Sequence, residues 1–187
     1  MKLVIINSAP FTQEFVEPIK QCLQDSAIDS EVVGYDAIPT DLTPFSGVII
    51  SASPKGDDII DEQISYYEWI YGYQDPVLGI CHGHQMLGVM HGADLIRSGQ
   101  GEEGIYPVIV ETDSPLFSGL GQSFKAEQHH VYSISLPNNF RLLASSDRCR
   151  VQAMMHQSKP LCSVQFHAEK NPGIILNFAN MVNNFSL

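Results

Sequence analysis

The residues with the clearest chemical meaning lie at positions 79–83, which read Gly-Ile-Cys-His-Gly. This is Gly-x-Cys-x-Gly, the cysteine counterpart of the Gly-x-Ser-x-Gly turn on which hydrolases expose a nucleophile between a strand and a helix. An apolar run, 77–80, precedes the cysteine, and a stretch with helical character, 85–91, follows it. Such a turn strains the backbone at Cys81, and the N-terminus of the following helix stabilises a thiolate there. The spacing therefore predicts that Cys81 is a nucleophile.

A second segment supplies the groups that such a thiolate needs. Residues 165–169 read Gln-Phe-His-Ala-Glu, and side chains alternate between the two sides of an extended strand. If the chain is extended over 161–169, His167 and Glu169 point to the same side and Ala168 points away. A histidine base held by a carboxylate completes the triad of nucleophile, imidazole and acid. We interpret the chain as an enzyme in which His167 and Glu169 serve the cysteine nucleophile.

The pattern of apolar runs predicts the elements that must position these residues. Buried strands alternate with helices in the first half of the chain, and βαβ units of this kind build a parallel sheet with ligands at the carboxyl ends of its strands. After Gly92 the pattern changes to short strands and turns, which is typical of an antiparallel extension. The predicted strands are 2–6, 31–34, 47–51 and 76–80, and the predicted helices are 13–27, 59–71, 85–91 and 172–185. The fold class is therefore α/β, a mainly parallel sheet flanked by helices with a small antiparallel extension.

Length and composition fit one domain, 1–187, without a membrane span. No apolar run reaches the roughly 18 residues that a membrane helix needs, and the apolar run at the N-terminus is too short for a signal peptide. The formal net charge of −11 argues against nucleic-acid binding, which requires a basic surface. The four cysteines show no disulfide or metal-ligand spacing. Because a catalytic thiol suits a reducing compartment, we predict a cytoplasmic protein with no membrane or nucleic-acid partner.

Further segments resemble one known family. Gly-Ile-Cys-x-Gly-His-Gln at 79–85, followed much later by Gln-Phe-His-x-Glu, resembles the class I, triad-type glutamine amidotransferases. The stretches 103–108 and 142–147 resemble the regions that follow the nucleophile helix and precede the catalytic histidine in stand-alone, GMP-synthetase-like members. The resemblance covers nearly the whole chain and implies a flavodoxin-like sheet. It also implies hydrolysis of the glutamine side-chain amide to glutamate and ammonia through a cysteinyl thioester.

The resemblance assigns the remaining site residues as well. The backbone N–H groups of His82, the residue after the nucleophile, and of Ser53 would form the oxyanion hole. The substrate-binding residues that it implies are Gln85, His130, Val131 and Tyr132, with Glu103 near the site. Three positions depart from the family pattern: Ser53 and Val131 stand where the family usually has glycine, and Ala168 stands where it usually has proline. Serine tolerates positive φ poorly, whereas Val131 alters the shape of the pocket without touching the triad.

Two other functions fit the same residues. A γ-glutamyl peptide hydrolase would use the same triad without an ammonia acceptor, and a catalytically weak binding or regulatory module would keep only the fold. The chain has no ATP-pyrophosphatase P-loop, so an amidotransferase of this kind needs an ammonia acceptor on a separate synthetase subunit. The expected substrate is L-glutamine or a γ-glutamyl compound.

No metal or cofactor is expected from the sequence. The histidine cluster, His82, His84, His129 and His130, matches no common zinc spacing. The other cysteines, Cys22, Cys149 and Cys162, lack the elbow context and are expected to pack in the core. The aromatic run at 66–73 spans several helix faces, which favours core packing with an exposed part that could dock a partner.

Overall fold

The computed structural model describes residues 1–55 and 59–185, with the backbone alone described at 98–100. The strands are β1 (Lys2–Asn7), β2 (Asp29–Gly34), β3 (Gly47–Ile50), β4 (Val77–Ile80), β5 (Leu95–Val110), β6 (Ser123–Ile134), β7 (Phe140–Ser145), β8 (Ala153–His156) and β9 (Leu161–Val164). The helices are α1 (Glu17–Asp25), α2 (Ile60–Gln63), α3 (His82–Met90) and α4 (Pro172–Phe185). The strands form one sheet in the order β2-β1-β3-β4-β9-β8-β7-β5-β6.

The first five strands of that order are parallel and have helices on both faces. Alternate side chains of a strand face opposite sides, and β1 divides its apolar residues accordingly. Leu3 and Ile5 pack in one cluster with residues of α1 and α4, whereas Val4 and Ile6 pack in a second cluster with residues of α3. The sheet is thus buried on both faces, as parallel sheets usually are. The predicted α/β class is confirmed.

The antiparallel part differs from the short strands expected after Gly92. β5 and β6 are 16 and 12 residues long and form a hairpin at the edge of the same sheet. In the middle of β6 every second residue is buried, but two of the buried residues are the polar Gln128 and His130. Polar residues on the inward face hide the alternation of apolar and polar types that marks a strand. For that reason the sequence pattern underestimates the hairpin.

The predicted helix at 59–71 is an α-helix only over α2 and continues as 3-10 turns at Ile64–Tyr71. Residues three apart share a face in a 3-10 helix. Here Tyr67 and Ile70 are buried, and Ile64 packs against the same core. The apolar spacing of three residues therefore suits the tighter helix, and the aromatic and β-branched residues favour the α-helix little.

The remaining helices agree with the sequence pattern except at their ends, and α3 begins at His82 rather than at the predicted 85. α4 has the predicted bounds, whereas α1 begins at Glu17 rather than at 13, with a proline in its first turn as helix starts often have. In the described part of the chain, no helix is long and apolar enough to cross a membrane.

Candidate active site

Cys81 lies at the turn between β4 and α3, with φ 50° and ψ −99°. Two glycines make this turn sterically feasible. A Cβ on Gly79 would lie 2.5 Å from the carbonyl oxygen of Gly83, and a Cβ on Gly83 would lie 2.7 Å from the carbonyl oxygen of Ile50. Positive φ is costly for a cysteine. The surrounding close packing holds the residue in this conformation, as in a nucleophile elbow.

The thiol of Cys81 is buried where three elements meet. The Cys81 backbone N–H donates to the carbonyl oxygen of Val164 at the end of β9, at 2.8 Å. The side-chain amide of Gln165 lies 3.7 Å from Sγ and donates toward it. Cys81 also stands at the N-cap of α3, so the positive end of that helix is next to the sulfur. The amide donor and the helix end both stabilise a thiolate at this position.

His167 and Glu169 are in contact, but not through the geometry expected from the sequence. β9 ends at Val164, and Ala168–Lys170 forms a 3-10 turn, so the prediction of an extended chain through 169 was wrong. Val164 is the last residue of β9 to pair with β4 and β8, and a strand without partners does not continue. The turn nevertheless brings Nδ1 of His167 within 2.6 Å of Oε1 of Glu169.

The surroundings of His167 favour its charged form. Burial by itself lowers the pKa of the imidazole, but interactions with Cys81 and Glu169, through hydrogen bonds and charge, raise it to about 11. Nε2 of His167 has no partner with full hydrogen-bond geometry among the described residues. Phe15 stacks on the imidazole with ring centroids 5.9 Å apart and fixes its plane.

A cavity of about 490 Å³ opens in front of Cys81. Its lining includes most of the residues that the sequence assigned to substrate or oxyanion binding: Ser53, Gln85, His130, Val131 and Tyr132. Among the described residues other than glycine, only Ala27 and Cys81 have positive φ. Serine at position 53 is therefore not strained, and the departure from glycine there requires no special conformation.

His82 is not among the lining residues. Its side chain is buried against Gln63, with the two polar atoms 2.9 Å apart.

Gln85 connects the nucleophile helix to the opposite wall of the cavity. Its amide nitrogen donates to the carbonyl oxygen of Tyr132 at 3.0 Å. Its Oε1 is buried and has no hydrogen-bond partner within the described ranges. A buried acceptor without a partner is costly, so a donor on a bound molecule would stabilise it.

Several residues of the site were not assigned a role from the sequence. Lys55 and Arg97 bring positive charge to a lining that also contains the acidic Glu102 and Glu103, while Gln165 contacts the sulfur. Arg97 is the last residue of β5 to pair with β6 before a shift in the register, and the pairing resumes at Glu102. A bulge re-aims side chains in a way that simple alternation does not reveal. Gln165, by contrast, belongs to the second motif and could have been found from it.

One group of buried residues has the donor types of a metal site. Ligand atoms of Glu102, His130 and Cys149 lie within 4.8 Å of one another, the sole such group in the ranges that the structure describes. Both oxygens of Glu102 already accept hydrogen bonds, from Ser146 at 2.8 Å and from Gln152 at 2.7 Å. Burial, followed by the charge of Glu102, raises the pKa of Cys149 to about 12. Because both carboxylate oxygens already have protein donors, the group fits a hydrogen-bonded core network.

The other histidines are separated in the structure. His84 is fully buried with Nδ1 2.8 Å from the hydroxyl of Ser163, and burial followed by the charge of His130 lowers its pKa to about 3. His129 is largely exposed, with Nδ1 4.0 Å from a carboxylate oxygen of Glu103. His84 is therefore a neutral core residue, and the four histidines do not converge on one point.

The fold and the site define an α/β protein with a cysteine at a strand–helix elbow. The family model of the class-I glutamine amidotransferases matches residues 10–181. The chain belongs to this family, and the enzyme class indicated by the motifs is confirmed.

Sequence and structure comparisons agree on the type of member. The chain is 32% identical to the glutamine-hydrolysing GMP synthase subunit of Thermoplasma acidophilum over 149 residues, which cover 79% of this chain and 74% of that protein. The protein of the same name from Thermoplasma volcanium is 33% identical over the same shares.

A crystal structure from Thermoplasma acidophilum, of a protein named as a candidate for the same GMP synthase subunit, has a TM-score of 0.89 at 26% identity and covers 100% of this chain and 96% of its own. A glutamine amidotransferase from Thermotoga maritima has a TM-score of 0.74 at 19% identity, with 100% and 86% covered, and shares the fold.

Proposed function

We propose that this chain hydrolyses the side-chain amide of glutamine through a thioester on Cys81, and that a separate synthetase subunit receives the ammonia. The observation that carries the proposal is the 2.6 Å contact between His167 and Glu169 beside the strained Cys81 turn. The contact occupies Nδ1 of the imidazole and leaves Nε2 for proton transfer. This is the arrangement of nucleophile, base and orienting acid that acyl transfer requires.

His167 carries out each proton transfer of the proposed reaction. It takes the proton of the Cys81 thiol, and the thiolate attacks the side-chain carbonyl carbon of glutamine. The tetrahedral intermediate collapses as His167 donates its proton to the leaving nitrogen, which releases ammonia and leaves a thioester. Acylation removes the negative sulfur that raises the pKa of His167. The neutral imidazole then takes a proton from water, and the hydroxide releases glutamate and restores the thiolate.

The oxyanion of each tetrahedral intermediate needs preorganised donors. We assign this role to the backbone N–H of His82 and to that of Ser53. His82 is the first residue of α3, next to the nucleophile, and Ser53 lines the cavity on the side of the loop that follows β3. The hydroxyl of Ser53 accepts from the N–H of Lys55 at 3.3 Å, which holds this loop in place.

The charges of the cavity suit a free amino acid. Glutamine carries an α-carboxylate and an α-ammonium group, and the lining contains both Lys55 and Arg97 and the exposed carboxylate of Glu103. The unpartnered Oε1 of Gln85 is an acceptor for an N–H donor of the substrate. A cavity of about 490 Å³ lies within the usual range for small-molecule sites. These features support glutamine as substrate.

A synthetase partner is supported by the relatives and by the surface beside the cavity. The relatives are named as subunits of GMP synthase. Ile96, Ile105 and Val131 expose 47%, 68% and 48% of their surface on the β5–β6 hairpin, whose residues also line the cavity. Exposed apolar residues grouped beside a site are typical of a protein contact. We propose that this hairpin contacts the synthetase.

Ammonia release from glutamine tests the proposal, with the wild-type protein measured alone and with an ATP-pyrophosphatase subunit of GMP synthetase. We expect Cys81→Ser to lose at least 1000-fold in kcat, whereas the matched Cys22→Ser, at a partly exposed cysteine outside the cavity, keeps wild-type activity. Cys81→Ser with wild-type ammonia release would overturn the mechanism. Turnover of γ-glutamyl peptides in place of glutamine would instead indicate a γ-glutamyl hydrolase with the same triad.

A further inference from the structure

A second cavity, of about 690 Å³, lies apart from the cavity at Cys81 and shares no described lining residue with it. It is formed by the loop that follows β2, at 35–43, and by the segment 65–75, which contains the 3-10 turns and leads into β4. A volume of this size suits a small molecule. The proposed glutamine chemistry makes no use of this cavity.

Aromatic rings form much of its wall. Tyr35 and Tyr66 meet edge to face with centroids 5.3 Å apart, and Trp69 and Tyr73 meet in the same way at 5.2 Å. Edge-to-face pairs hold rings at defined angles, so the wall is preformed.

The 3-10 segment explains why Tyr66 and Trp69 line the cavity, although Trp69 also packs against the edge of the core. Its period of three residues places Tyr67 and Ile70 in the core and leaves Tyr66 and Trp69 on a neighbouring face. At the next position of that face, Gly72 has no side chain, which keeps the cavity open. The aromatic run is therefore only partly explained by core packing, and Tyr66 is 47% exposed.

All the ionisable side chains in this cavity other than tyrosine are acidic. Asp36, Asp41 and Asp75 are among the lining residues, and the described lining contains no lysine, arginine or histidine. Oδ1 of Asp41 accepts from the hydroxyl of Thr43 at 2.7 Å and from its backbone N–H at 2.9 Å. These hydrogen bonds lower the pKa of Asp41 and keep its carboxylate ionised and oriented.

Aromatic faces and carboxylates without a counter-charge are the chemistry that recognises an organic cation. The negative face of an aromatic ring attracts a positive group, and ionised carboxylates add to that attraction, most strongly at low salt. We propose that this cavity binds a small organic ammonium ion between the rings of Tyr66 and Trp69 and the carboxylates of Asp41 and Asp75. A neutral molecule of the same shape would gain only the apolar contact.

Trp69 is the only tryptophan of the chain, so its fluorescence reports on this cavity directly. Wild-type protein at low ionic strength is titrated with choline and, separately, with 3,3-dimethylbutan-1-ol, the neutral isostere of choline. We expect a saturable change with choline and at least tenfold weaker binding of the isostere. No saturable change with choline, or equal binding of both compounds, would overturn the proposal.

Substitutions test the role of the carboxylates. Asp41→Asn keeps Oδ1 as an acceptor for Thr43, and Asp75→Asn removes the second charge. We expect each to weaken choline binding at least fivefold. Asp147→Asn, at an exposed aspartate outside both cavities, should leave it unchanged. Equal affinity in all three variants would contradict the assignment. Circular dichroism of each variant checks that the fold is intact, and the comparison of choline with its isostere on wild type holds without any variant.

Discussion

The backbone of Cys81 is strained at the turn where we propose the nucleophile. Holding a residue other than glycine at φ 50° and ψ −99° costs about 1–3 kcal/mol of free energy, whereas glycine adopts such a conformation far more easily. The strain persists because β4, β9 and α3 all hold the turn. It aims the sulfur into the cavity, where Gln165 and the helix end stabilise its negative charge.

A comparison of two inactive variants measures this strain. Both Cys81→Ala and Cys81→Gly remove the thiol, but only glycine relieves the positive φ. We expect Cys81→Gly to have a free energy of unfolding about 1 kcal/mol higher than Cys81→Ala in urea denaturation. The usual order, in which alanine is the more stable of the two, would show that the turn is not strained.

The raised pKa of His167 links folding stability to pH. A group whose pKa is higher in the folded state stabilises the protein fully below its unfolded pKa, about 6.5, and loses that contribution as pH rises toward the folded pKa, here about 11. Glu169→Gln removes one of the interactions that raise this pKa. In the variant, the stabilising contribution of His167 is therefore lost at a lower pH than in wild type. We expect the variant to be less stable than wild type at pH 6.5, with a gap that narrows toward pH 11.

Urea unfolding at several pH values measures this difference in the free energy of unfolding. Glu62→Gln, at an exposed glutamate, is the matched control and should show no difference from wild type. A gap for Glu169→Gln that widens as pH rises would contradict the assigned pair.

Among the elements, the contact of α3 with β3 sets the position of the nucleophile. Gly83 lies so close to β3 that an added Cβ would be 2.7 Å from the backbone oxygen of Ile50, and backbone atoms cannot move aside cheaply. We expect Gly83→Ala to lose about 1–3 kcal/mol of unfolding free energy and most glutaminase activity, because α3 must shift.

Gly72→Ala is the control, since its Cβ would meet nothing closer than 3.9 Å and its φ is negative. Urea denaturation and ammonia release compare the two variants. Equal stability of both would show that α3 can move away from β3 without cost.

The extent to which sequence predicts structure also depends on the element. β1 to β4 and the elbow are short and strongly patterned, and the sequence predicts them well. The 3-10 turns at 64–71 share apolar positions with an α-helix. The polar residues on the buried face of β6, such as Gln128, conceal a long strand. The end of β9 at Val164 depends on where β4 and β8 end, which local sequence does not contain.

The site shows the same division between local and long-range information. The residues within one motif, such as Cys81 or His167, are evident from spacing. Arg97 lines the cavity next to the register shift of the hairpin, and the hydrogen bond of Gln152 to Glu102 joins residues that are far apart in sequence. Such residues require the three-dimensional structure.

The whole molecule carries a formal net charge of −11, and its proposed contact with a synthetase is the apolar surface of the β5–β6 hairpin. We expect Ile105→Asp to raise the Kd for the ATP-pyrophosphatase subunit at least tenfold, because it places a charge in the apolar contact. The glutaminase activity of the chain alone should not change, since Ile105 does not line the cavity.

Isothermal titration measures the affinity, and Leu136→Asp, at an exposed leucine outside the hairpin, is the control. A weaker complex with Leu136→Asp and an unchanged one with Ile105→Asp would place the contact elsewhere.

If Cys81 is an activated thiol in a glutamine-shaped cavity, an electrophile that resembles glutamine should modify it. Intact-mass spectrometry after incubation with the chloroketone analogue of glutamine tests it most directly, with Cys81→Ala as control. We expect one adduct on wild type, mapped to Cys81, and none on the variant, while the buried Cys149 and Cys162 stay unmodified. No adduct on folded wild-type protein, or an adduct that persists in Cys81→Ala, would contradict it.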